Sequence, residues 1–146
     1  MFSKGKINIA IQKGHYAPGD IISGDVALTL KKPVKAREVS ISLIGEHKIT
    51  ETNPRVGGPM GGGGMSMSTT TKTVRIYDFK QQLDSEKEYS EGREYPFEIK
   101  IPADILSMRP QKTGTIKFLP VVWYLLAKLD IPRGLDIKKK VDITIG

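Results

Sequence analysis

The stretch "FLPVVWYLLAKLDI", Phe118 to Ile131, decides the fold class. It is apolar on both faces, so periodicity alone does not separate a central strand from a buried helix. Its composition does. Val121, Val122, Trp123 and Tyr124 are β-branched or aromatic, and Pro120 and Pro132 stand at its ends. Those types favour a pleated, packed surface, and proline at the boundaries suits a strand of limited length. Read as a strand, the stretch leaves no long helix anywhere in the chain. The only helical turn expected lies in "PADILSMRP", Pro102 to Pro110.

Outward from that stretch, two-residue alternation dominates. Ile7, Ile9 and Ile11 face one way, and Lys6, Asn8 and Ala10 the other. Ile22, Val26, Leu28 and Leu30 share a parity, with Gly24 on the same side. Val39, Ile41, Leu43 and Ile49 continue the pattern, as do Tyr95, Phe97, Ile99 and Ile101. Ile137, Val141, Ile143 and Ile145 close it. Between Thr69 and Leu83 the phase changes: Val74 and Ile76 are even, whereas Tyr77, Phe79 and Leu83 are odd. One extra residue near Ile76 or Tyr77, a β-bulge, reconciles the two halves. About seven strands separated by turn signals describe an all-β, antiparallel β-sandwich.

"NPRVGGPMGGGGMSMSTTTK", Asn53 to Lys72, contains six glycines and separates two strand candidates, Val34–Thr52 and Thr69–Leu83. A phosphate-cradling loop needs G-x-x-x-x-G-K-[ST] between a strand and a helix. Here Thr71 precedes Lys72–Thr73, and a strand-like segment follows. The segment therefore reads as a flexible hairpin loop over 53–70. Met60, Met65 and Met67 within it offer an adaptable apolar contact for a protein partner.

The 146 residues suffice for one domain, with a net charge of +7 and no cysteine. Without cysteine there is no disulfide framework and no thiol chemistry. No signal-like leader or run of about eighteen apolar residues is present, so a cytoplasmic chain is expected. His15 and His47 are the only histidines, and no nucleophile, base and orienting acid occur together. No enzymatic activity, cofactor or metal is expected. His47 reads as a strand-end histidine with a local partner. Asp84, Glu86 and Glu88 are the clearest carboxylate group, read as a solvated turn ahead of a calcium site. Trp123 and Tyr124 point to opposite faces, one of them into the core. Lys31, Lys32, Lys138 and Lys140, with Arg37, form an anion-binding stripe if their strands are neighbours.

The order of short motifs resembles the N-terminal domain of the arrestin-like superfamily. "YAPGDIISGDV" supplies Tyr16, Gly19, Asp20, Gly24 and Val26; Gly45 follows near the end of a long strand. "PFEIKIP" supplies Pro96, Phe97, Ile99, Ile101 and Pro102, and the later strand supplies Val121, Trp123, Leu125 and Ala127. The opening motif and the late "LDI", Leu129 to Ile131, are also similar to sporulation-control proteins of that superfamily. The arrestin-like retromer subunit is a more distant likeness. The resemblance spans Lys4 to Ile145. It implies a non-catalytic scaffold or adaptor in trafficking or regulation that holds protein partners, with one sandwich domain where arrestins have two.

The expectation is thus one arrestin-like domain over 1–146. It binds protein through edge strands, a sheet face and the 53–70 loop, and an edge strand also suits a homodimer. The alternative is a basic sandwich for anionic ligands, whether nucleic acid or a membrane surface. Nucleic acid fits poorly, because only Tyr77, Tyr89 and Phe79 are candidates for stacking and no RNP-like signature is present, and any membrane contact would be peripheral.

Overall fold

The computed structural model describes residues 5–56, 65–107, 116–118 and 121–146. In chain order the strands are β1 (Gly5–Ile11), β2 (His15–Tyr16), β3 (Ile21–Leu30), β4 (Val34–Ala36), β5 (Glu38–Val56) and β6 (Met65–Asp84). They continue with β7 (Lys87–Tyr89), β8 (Arg93–Lys100), β9 (Ile116–Phe118), β10 (Val122–Asp130) and β11 (Ile137–Ile145). Among the described residues a single 3-10 turn, Ile105–Ser107, sits where one helical turn is expected. β10 settles the opening ambiguity in favour of a strand. Seven of these strands are long; β2, β4, β7 and β9 are short additions that alternation does not reveal.

One sheet has the order β1-β3-β8, the other β2-β11-β10-β5-β6, with β9 also pairing β5 and β4 pairing β7 separately. The core lies between the two larger sheets. Ile7, Ile22, Val26, Phe97 and Ile99 come from the first, and Val39, Ile41, Leu43, Leu125 and Leu129 from the second. Each is buried because the two-residue period keeps it on the inner face of its strand.

Two turns align the strands. In Pro18-Gly19-Asp20, Gly19 takes φ 88°, where a side chain is disfavoured. Asp20 Oδ2 accepts the Ala17 N–H at 2.9 Å. The Gly19 N–H and the Asp20 carbonyl then bond Ile101, tying this turn to the end of β8. Between β10 and β11, Asp136 Oδ1 accepts the Ile131 N–H at 2.9 Å, closing a turn in which Arg133 has φ 60°.

The long β5–β6 hairpin carries the expected bulge. Gly45 pairs Tyr77 and Glu46 pairs Arg75, so Ile76 is the extra residue. A second shift occurs at Leu83, because Val39 pairs Asp84 and Ser40 pairs Gln82. The ladder also continues past Thr52, through Asn53–Ser68 to Val56–Met65. Strand pairing thus enters both ends of the segment read from sequence as a loop, leaving 57–64 between the paired strands.

Candidate protein-interaction surface

Three features of the larger sheet stand out: a free edge, an aromatic row and a basic outer face. The edge is β6. It pairs β5 along its length and has no strand on its other side among the described residues. Every second residue of such a strand turns its N–H and C=O away from the ladder. Phe79, opposite Leu43 on the inner face, remains 44% exposed beside that edge. Leu43 is fully buried, so the exposure comes from the strand's position and not from its parity.

The aromatic row fixes the hairpin against the sheet. Ile143, Trp123, Gly45 and Tyr77 lie side by side on four successive strands. The Trp123 ring covers Gly45 so closely that a Cβ there would lie 2.8 Å from Cε3 and from Cη2. Tyr77 meets the same ring edge-on at 6.2 Å. Trp123 is therefore the core aromatic, and Gly45 is small because the indole needs its space.

Asp84 ties the sheets together where β6 ends. The second bulge turns it inward, where it accepts the Tyr95 hydroxyl from β8 at 2.7 Å and the Ser85 N–H at 2.9 Å. Lys87 lies 2.9 Å away and Arg93 3.4 Å. Burial alone would raise this carboxyl, but the hydrogen bonds from Lys87, Tyr95 and Ser85 outweigh it and hold it at about 2. Burial, then the Asp84 charge, pushes the Tyr89 phenol up to about 12. The solvated-turn reading is thus corrected for Asp84, while Glu86 and Glu88 are exposed as expected. Among the described residues no group of three His, Asp or Glu is placed to hold a metal ion.

The arrestin (or S-antigen) N-terminal domain family matches residues 5–145. The chain belongs to that family. Its fold is similar to that of the sporulation control protein Spo0M from Bacillus subtilis, with a TM-score of 0.51 and 18% identity over 99% of this chain. The chain spans 50% of Spo0M. Against the Pseudomonas fluorescens alkylpurine DNA glycosylase AlkC, solved on DNA containing an abasic site analogue, the TM-score is 0.33. The identity there is 15%, over 99% of this chain and 31% of AlkC. No curated protein matches the sequence.

Within this arrestin-type domain the residues singled out from sequence are spread apart. Met60 lies outside the described residues; Met65 and Met67 open β6, with their side chains outside the described part. Lys31 and Lys32 follow β3, in the three-stranded sheet, whereas Lys138 and Lys140 lie on β11 in the other. The single stripe does not form, because β3 and β11 are not ladder neighbours. His47 is buried.

Tyr124 is the outward member of the Trp123–Tyr124 pair, opposite Asp142 and Ile44. It faces outward yet is only 6% exposed, with Lys140 Nζ 4.4 Å from its ring centre. Burial, then the neighbouring Glu46, pushes its phenol up. On the same outer face, Lys140, Leu126, Ser42 and Lys80 form one cross-strand row, and Lys138, Lys128, Ser40 and Gln82 the next. Ser40 and Ser42 are short, and the long side chains around them leave a depression of about 420 Å³. Sequence reasoning found two of these four lysines. Lys80 and Lys128 join them only through a register that spans about ninety residues of chain.

Proposed function

We propose that this domain is a non-catalytic, protein-binding adaptor whose principal docking element is the free edge of β6. Its basis is a twenty-residue strand that, among the described residues, is paired on one side only. An extended partner segment adds to such an edge by backbone hydrogen bonds, and exposed side chains beside it select the sequence. Phe79 supplies an apolar anchor there. The Trp123–Gly45–Tyr77 row and the Asp84 cluster hold the edge in place, so little ordering entropy is lost on the domain's side. The arrestin-family membership supports a regulatory or adaptor role. A nucleic-acid role is disfavoured by the basic face itself, whose aromatic, Tyr124, is covered and unable to stack on a base.

Neighbouring edge residues test this. Of Lys72 and Thr73, opposite Ile49 and Lys48, one directs its amide to β5 and the other outward. Proline at the outward position removes only a free donor; at the other it breaks a ladder bond. The variant of Lys72→Pro and Thr73→Pro that melts like the wild type should fail to retain partners captured from a native-host lysate. Unchanged capture by that variant removes β6 from the mechanism.

A further inference from the structure

The two outer faces of the sandwich carry opposite charge patterns. On the three-stranded sheet, the register places Asp25 beside Ala10 and Pro96, Glu94 beside Ala27, and Glu98 beside Ser23. All three acids are exposed, and none has an ion-pair partner among the described residues. An open cavity of about 680 Å³ reaches Asp25 and Glu98, and its lining also takes in Phe97 and, from the other sheet, Gln81. Lys6 and Lys100 bound this acidic centre at its two ends.

The six-stranded sheet has the reverse arrangement. Lys128 and Lys138 stand opposite each other, and Lys140 and Lys80 occupy the adjoining row. Acids bound that basic centre: Asp142 and Asp78 in the row on one side, Asp130 and Glu38 on the other. Lys80 is held by Glu38 at 2.6 Å, whereas Lys128 and Lys138 enter no ion pair among the described residues. At about 3.3 Å per residue and 4.8 Å per strand, the basic centre measures about 7 Å along its strands and 14 Å across them, and the acidic one about 13 Å along and 5 Å across.

We propose that the acidic face of one copy docks on the basic face of a second copy of this chain. The occupant follows from the pattern: along the strands, an acidic centre with basic ends complements a basic centre with acidic ends, in sign and in order. The two patches differ, so the contact is heterologous and propagates head to tail. The inference goes beyond the adaptor reading and uses faces, not the β6 edge. The net charge of +7 opposes self-association, so the contact is weak and depends on salt. At about 0.1 M salt the Debye length is about 10 Å, which screens whole-molecule repulsion while touching charges still attract; at about 1 M it is about 3 Å.

Light scattering on the full chain tests the proposal. For a dissociation constant near 1 mM, the weight-average mass should rise roughly twofold at about 1 mM protein in about 0.1 M salt, and return to monomer in about 1 M salt. The double variant D25K/E98K and the double variant K128E/K138E should each be monomeric alone. Mixed, they present complementary faces again and should associate at least as strongly as the wild type. Circular dichroism melts confirm that both variants fold. A wild type that stays monomeric overturns the proposal. So does association that survives in either variant alone, and so does a mixture that fails to associate. None of these outcomes bears on partner capture by β6.

Discussion

Replacing Asp84 by asparagine tests whether one carboxylate joins the two sheets. The amide keeps the shape and an acceptor for the Tyr95 hydroxyl and the Ser85 N–H, but removes the charge that Lys87 and Arg93 face. The folded carboxyl titrates at about 2 against an ordinary 3.8. That interval corresponds to about 2 kcal/mol, and solvent screening of the two partly exposed cations lowers it to about 1 kcal/mol. A carboxyl depressed by folding stabilises the protein above its unfolded value and loses that contribution as pH falls through the folded value. Wild type and D84N should therefore differ by about 1 kcal/mol in urea unfolding at pH 7, and converge between about pH 4 and pH 2. The variant should melt about 3 °C lower at pH 7. A constant gap across that acid range, or no gap at neutral pH, would refute the reasoning.

Two further substitutions probe the frame that holds the edge. Gly45→Ala should cost about 1–3 kcal/mol, because its methyl meets an indole confined by Tyr77 and Ile143. A double-mutant cycle with Trp123→Leu should show the two costs to be strongly non-additive, and additive costs would place the strain elsewhere. Asp136→Ala leaves the Ile131 N–H without its acceptor, and calorimetry should record a loss of about 1 kcal/mol. An unchanged melt would mean the β10–β11 turn is held by its backbone alone.

Much of the fold is written locally. β10 is legible because valine, tryptophan and tyrosine crowd between two prolines, and the bulge at Ile76 because the apolar parity changes there. The single turn at Ile105–Ser107 is legible from its proline bounds. Other features depend on partners far along the chain. Alternation assigns Ser40, Ser42 and Ile44 to solvent, yet neighbouring side chains on the outer face bury them. The shift at Leu83 turns Asp84 inward, and no local parity signals it. The lysine stripe needed β3 beside β11; only the sheet order shows that Lys128 and Lys80 are the neighbours of Lys138 and Lys140 instead. Glycine content marks a turn after Thr52, but it does not show that pairing runs on through Pro54 to Val56.

The most direct measurement is amide hydrogen exchange, resolved to single residues, on the domain alone and bound to a captured partner. In the free domain, β6 should show fast and slow amides in alternation, since every second N–H faces solvent. Binding should slow the fast set between Met65 and Asp84 and leave β1, β3 and β8 as they were. Protection confined to another strand, or a β6 edge already uniformly slow without partner, would contradict the assignment of β6 as the docking edge.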